Sequence, residues 1–304
     1  MNCLLLLVAG AITAMAQESE DWEKLAQQAA ERMDADDLTG AEALCRDALQ
    51  KAQRQLGADH PQLVSLSTQF GGILHVEGRD AEAEPVLRRA LEIAYASGEA
   101  RLLAIALNAL GNALHGEGQA ARAEPVLRRS LALFEESEGI DASDTAKAAN
   151  NLATVYSDTG QYEQAEKQLN VALSFYQKHL GSFPVAFATS LRNMFVVLMA
   201  QKRMAEAESY LARAVAIGSM AFPESMKMMD LRMAQALLEA RRGKFQNAAH
   251  LLKQVIATQE RMRVPPRELA QSLILYSAVL RHLHQRTEAR QIEKRGMLIL
   301  KSLP

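Results

Sequence analysis

Histidines, of which there are seven, two cysteines and paired arginines are the side chains in this 304-residue chain best suited to act on a substrate or hold a metal. A helix brings together residues three or four apart, and metal ligands must converge on one point. His282 and His284 are two apart, so on a helix they point to different faces. His60, His179 and His250 have no ligand-like neighbours, and the chain lacks HExxH, a Gly-rich phosphate loop, GxSxG and CxxC. A hydrolase or any other enzyme would have no motif to rest on, and no cofactor or metal site is expected. His75 and His115 occupy equivalent places 40 residues apart. They could neighbour each other as a pH-sensitive ligand contact, or be solvated or bonded within their own helices. Arg88-Arg89 and Arg128-Arg129 could bind phosphate, but acidic residues are interleaved with them, as on a solvated helix face.

These residues sit on a repeating frame. A small turn residue, often glycine, is followed five positions later by an alanine that opens a Leu-rich run, as in GRDAEAEPVLRRALEI from Gly78 and GQAARAEPVLRRSLAL from Gly118. The anchor alanines are Ala41, Ala83, Ala123, Ala165, Ala207, Ala248 and Ala289, in steps of 40 to 42 residues. A unit of that length cannot bury its own apolar face and must stack on copies of itself. The expected fold is all-α, one helical solenoid of seven helix pairs.

The second helix of each pair, helix B, is expected from about the anchor. Four residues after it come Cys45, Leu87, Leu127, Leu169, Leu211, Leu252 and Glu293, and positions seven and eight after it complete one apolar stripe. Cys45 stands in a leucine column, which reads as core filling rather than a reactive thiol. Glu293 and Gly296 break the stripe, as expected of a terminal helix with one face in water. Helix A precedes the turn, with Phe70 and Leu74, Leu110 and Leu114, Leu152 and Tyr156, Met194 and Leu198, and Tyr276 and Leu280 at i, i+4 spacing. Arg32 and Glu239 fall in the same columns in repeats one and six, which suggests a one-residue change in the turn there. Pro61, Pro184, Pro223 and Pro266 mark starts of A helices, Ser143 or Asp144 is a candidate cap, and Pro85 and Pro125 are expected in the first turn of helix B.

Residues 1–16 read as a signal peptide, with an h-region from Leu4 to Ile12 and an A-x-A cleavage signature at Ala14-Met15-Ala16. The alternative is an uncleaved N-terminal helix, since Met1 and Asn2 supply no basic side chain. Residues 17–304 are then the solenoid, its last repeat a cap, in a secreted or periplasmic protein with no membrane insertion after cleavage. With 34 basic and 36 acidic residues and a net charge of -2, the chain has no global field for nucleic acid.

Leu110-Gly111-Asn112-Ala113-Leu114, then Gly118, Ala123, Leu127 and Leu131, resembles a tetratricopeptide repeat, as does Asn150-Asn151-Leu152-Ala153-Thr154-Val155-Tyr156 with Gly160-Gln161-Tyr162 and Ala165-Glu166. The period and the Leu56-Gly57-Ala58-Asp59-His60-Pro61 junction resemble the kinesin-light-chain-type variant. The resemblance implies a right-handed superhelical solenoid whose A helices line a concave groove for a protein or peptide partner. It places Thr68, Gln69, Gly72 and His75 on that groove, followed by Asn108, Ala109, Asn112 and His115. Next come Asn150, Asn151, Thr154 and Ser157, then Arg192, Asn193, Val196 and Met199. Asparagine offers an acceptor and a donor, so a ladder of them can bond an extended backbone without reading its sequence; the alternative is that these amides cap helices or face water. Met233, Ala234, Leu237 and Ala240, then Ile274, Leu275, Ala278 and Arg281, would form an apolar pocket or a closed groove, or mediate self-association. The competing function is a structural scaffold of the cell envelope that uses its ends or convex face.

Overall fold

The seven anchor alanines mark seven copies of one tight corner, and each is 0% exposed. The computed structural model describes residues 22–136, 142–179, 181–262, 264 and 266–302; the signal-peptide segment 1–16 lies outside them. All regular structure among the described residues is helical. The A helices are α1 (22–34), α3 (Gln62–Val76), α5 (Ala100–Gly116), α7 (Ala142–Asp158), α9 (Pro184–Ala200), α11 (Met226–Arg241) and α13 (Pro266–His282). The B helices are α2 (Leu38–Leu56), α4 (Asp80–Ser97), α6 (Ala120–Glu136), α8 (Tyr162–Lys178), α10 (Met204–Ala221), α12 (Phe245–Met262) and α14 (Arg286–Lys301). The chain divides into two compact units, one ending at Thr159 and the other beginning at Gly160. No helix among the described residues is long and apolar enough to cross a membrane.

Within each pair the corner has one geometry. The residue five before the anchor has positive φ every time: Asp36, Gly78, Gly118, Gly160, Lys202, Gly243 and His284. A left-handed residue after a helix lets the next N–H return to an orphan carbonyl, as Arg79 does to Leu74 O at 2.8 Å and Gln119 to Leu114 O at 2.9 Å. Glycine takes that conformation without a Cβ penalty, which explains its frequency there. His284 occupies the turn position of the last repeat, so its spacing from His282 follows from a chain corner.

Beyond the corner, A and B pack at close range. A Cβ on Gly71 would come within 2.5 Å of the Leu87 side chain, and one on Gly111 within 2.5 Å of Leu127. The glycine twelve before the anchor therefore receives the leucine four after it. Ala29, Ala153 and Ala236 hold the same place in other repeats, all 0% exposed. Cys45 takes the leucine's role in α2, with its Sγ 3.7 Å from Leu66 O; burial pushes its thiol up to about 12, so it is not a thiolate at neutral pH. Arginines near the turns tie successive repeats together on the outside: Arg79 to Glu42 at 2.9 Å, Arg122 to Glu84 at 3.0 Å, and Arg203 to Glu166 at 2.7 Å.

Four local expectations are corrected. The three-residue turn has the same length in repeats one and six as elsewhere, so Arg32 and Glu239 are polar residues in the ordinary register. Helix B starts three residues before the anchor, which puts Pro85 and Pro125 inside α4 and α6; the carbonyls they leave unbonded belong to Ala81 and Ala121, which are exposed to water. Ser143 and Asp144 lie within the first turn of α7 rather than ahead of it. Gly296 is buried, and a Cβ there would sit 3.2 Å from Ala270 O; it admits close contact with α13, while Glu293 is partly exposed and the apolar Met297 and Leu298 are exposed.

Gly71 and its neighbour Gly72, where a Cβ would meet nothing within 4 Å, should respond to alanine with opposite signs. Gly71→Ala should lower unfolding free energy by about 1–3 kcal/mol through overpacking against Leu87. Gly72→Ala should raise it by about 0.5–1 kcal/mol through helix propensity. Urea unfolding of the two variants measures both.

Candidate functional site

Opposite the A–B contact, each A helix presents a second face, and neighbouring A helices touch along it: α3 with α5, α5 with α7, and α9 with α11. Thr68, Gln69, Gly72 and His75 on α3 are all partly exposed, as are Asn108, Ala109, Asn112 and His115 on α5 and Asn150, Asn151, Thr154 and Ser157 on α7. On α9, Arg192, Asn193 and Met199 are partly exposed and Val196 is exposed. The helical period thus sorts these side chains onto one accessible face while Leu110, Leu114, Leu152 and Tyr156 go to the core.

Two of these amides bond each other: Asn151 Nδ2 donates to Asn108 Oδ1 at 3.1 Å, linking repeats three and four. Asn108 therefore lies in the same ladder as Asn151. Asn112, one turn along α5, carries no side-chain hydrogen bond among the described residues. At the start of the face the groups are engaged: Gln69 Nε2 donates to Ala26 O at 2.9 Å, and Thr68 Oγ1 to Ser65 O at 2.9 Å. Arg192 Nη1 lies 3.5 Å from Asn193 Oδ1.

The two histidines pair with separate carboxylates. His75 Nδ1 donates to Asp80 Oδ1 at 2.5 Å, and His115 Nε2 to Asp158 Oδ2 at 2.8 Å. Asp80 is buried at the start of α4, where a Cβ on Gly116 would strike its carboxylate, so only glycine fits opposite it. Glu117, next in that corner, has its carboxyl raised above the ordinary value by burial and then by the neighbouring Glu84 and Asp80. Among the described residues no group of three His, Cys, Asp or Glu is placed to hold a metal ion.

The later A helices change character. A cavity of about 220 Å³ opens between α9, α11 and α13, with Arg192, Phe195, Val196, Met233, Leu237 and Leu275 in its wall. Gln259 of α12 also reaches it; this residue is only 5% exposed, and its Oε1, like Arg192 Nε, is buried without a hydrogen-bond partner. The apolar stretch expected on α11 and α13 thus contributes Met233, Ala234, Leu237 and Leu275 to a cavity that also has polar groups in its wall. Phe195 and Gln259 went unnoticed as site residues in the sequence. The available signal was columnar: Phe195 stands where other repeats carry alanine, glycine or serine, and Gln259 where α2 and α4 carry Ala52 and Ala94.

Tetratricopeptide-repeat family models match residues 102–178 and 33–62. The helix pairs α5–α6 and α7–α8 lie in the first of these matches and are tetratricopeptide repeats. No curated protein matches the chain. Among solved structures, BtubC (BKLC) from P. vanneervenii superposes with a TM-score of 0.58 at 19% identity, over 75% of this chain and 91% of that one. A Rap protein complexed with Competence and Sporulation Factor gives 0.73 at 13% identity, over 92% and 75%. The Rap conjugation gene regulator of plasmid pLS20, in complex with the Phr* peptide, gives 0.69 at 14% identity, over 92% and 74%. At these identities the likeness is one of fold.

Because Glu117 is raised in the folded chain, the stability it contributes is present below the ordinary carboxylate value and lost as pH rises through the raised one. Glu117→Gln should therefore be more stable than the parent at pH 7, and the difference should close below about pH 4. Thermal unfolding at the two pH values reads it directly.

Proposed function

We propose that this protein is a non-enzymatic interaction scaffold that holds an extended segment of a partner protein or peptide against the amide-rich face of its A helices. The observation that carries the reading is the Asn108–Asn151 ladder beside the unpartnered Asn112. Backbone groups of an extended chain demand both donors and acceptors, and carboxamides supply the two together. The two Rap structures with a bound factor or peptide support the reading by analogy of fold. Placement outside the cytoplasm belongs to the same proposal and rests on the h-region and A-x-A signature of residues 1–16. A second reading, self-association through the last helix, is favoured by Met297 and Leu298, 45% and 58% exposed at the end of the stack.

A crosslinked pull-down from the native envelope or secreted fraction, with the parent and the Asn112→Ala/Asn151→Ala/Asn193→Ala variant, distinguishes the two. Under the groove reading the variant loses the partner. Each amide contributes about 1 kcal/mol, so binding measured with the identified segment should weaken by roughly a hundredfold. A partner retained by a variant with an intact helical spectrum would refute the groove, and self-crosslinks alone would favour association through the ends.

A further inference from the structure

The sixth repeat leaves open a wedge that its neighbours fill. In the two helix A columns that face the B helices, repeats two to five and seven carry Phe70 and Leu74, Leu110 and Leu114, Leu152 and Tyr156, Met194 and Leu198, and Tyr276 and Leu280, all buried. In α11 the same columns hold Gln235 and Glu239, both partly exposed. There a cavity of about 460 Å³ opens between α10, α11 and α12. It lies on the face of α11 that carries Gln235, Leu238 and Glu239, whereas Met233 and Leu237 line the groove-side cavity. Giving up two large apolar side chains in a repeat core costs stability with no packing gain in return, which is the usual mark of a site.

The wall has a definite chemistry. Leu211, Leu238 and Leu251 supply an apolar surface. Arg242 is already ion-paired with Glu208. Glu239 accepts from Asn247 Nδ2 at 2.9 Å through one oxygen, and its other oxygen lies 3.8 Å from Arg242. The side chains of Lys244 and Gln235 carry no hydrogen bond or ion pair among the described residues. Two carboxylates, Glu208 and Glu239, two cations, Arg242 and Lys244, and the free amide of Gln235 therefore face the same semi-enclosed space. A zwitterion meets a group of opposite charge at each of its ends in such a wall, whereas a ligand of single charge engages only one of them.

We propose that this cavity binds an amino-acid-type zwitterion with an apolar side chain. The ligand ammonium lies on Glu239, its carboxylate on Lys244, and its side chain on the three leucines. The cavity lies within the range of small-ligand pockets and has room for a free amino acid or a dipeptide.

Thermal shift and titration calorimetry of the full chain with L-leucine and leucyl-leucine test the proposal, against N-acetyl-leucine and leucinamide, which each lack one charge. At least one zwitterion should raise Tm in a concentration-dependent way, and neither capped analogue should. Glu239→Gln should weaken binding by at least about tenfold. Gln235→Leu/Glu239→Leu, which introduces the apolar wedge of repeats two to five and seven, should abolish binding with the helical spectrum intact. Should that double variant fail to fold, Glu239→Gln alone decides. Asn112→Ala/Asn151→Ala/Asn193→Ala should bind the zwitterion as the parent does, which separates this site from the groove. No response to either zwitterion up to about 10 mM, equal binding of a capped analogue, or undiminished binding by the variants at Gln235 and Glu239 would overturn the proposal.

Discussion

The close approach of helix A to helix B sets the terms for everything else in this protein. With the Leu87 side chain 2.5 Å from where a Gly71 Cβ would be, and Leu127 equally placed over Gly111, the two axes can be this near only if one column is small and the facing column is a leucine. The anchor alanine completes the contact with no exposure at all in any repeat. The stack gains cohesion from many such contacts, each local to a pair and its neighbours, as in other repeat proteins. The ion pairs Arg79–Glu42, Arg122–Glu84 and Arg203–Glu166 are partly exposed; by the usual measure of such pairs they add little stability and chiefly favour one register between repeats.

Fixing the inner face of helix A leaves its outer face free of packing duties, and that is where chemistry collects. In the unit ending at Thr159 the free face is polar: amides that bond each other across repeats, and histidines held by Asp80 and Asp158. In the unit beginning at Gly160 it becomes a cavity of about 220 Å³ lined by Phe195, Met233 and Leu237, with Arg192 beside it. One scaffold thus presents an amide ladder on one unit and an apolar recess with a guanidinium on the other.

Departures from the repeat carry more information than the repeat itself. Glu239 in a column of leucines and tyrosines suggests a shifted turn when read along the chain, but the turn is unchanged and the departure opens a cavity of about 460 Å³. Gly296 reads as a helix weakened by exposure, and it is instead the point where α14 approaches the α13 backbone. Pro85 reads as a residue of the first helical turn and lies deeper, because helix B begins ahead of the anchor. The first two misreadings have one origin: the period locates a column but does not say which neighbour that column meets.

Period, turn and column composition were legible in the amino-acid order because they are set by local rules. A left-handed residue is needed five before the anchor, a helical stripe must be apolar every three or four residues, and a pair of about 40 residues must stack to have a core. Those rules were enough for an all-α fold of stacked helix pairs, and the resemblance to tetratricopeptide repeats pointed to the face with Asn108, Asn112 and Asn151, which is partly exposed. Tertiary structure alone decided what each polar residue on that frame does. Gln69 spends its amide on Ala26 O, and His115 finds Asp158 one repeat away. Gln235 and Glu239 line a cavity where leucine would have closed it. Those outcomes depend on side chains some 40 residues apart in sequence meeting at hydrogen-bond distance, and no periodicity encodes such a meeting.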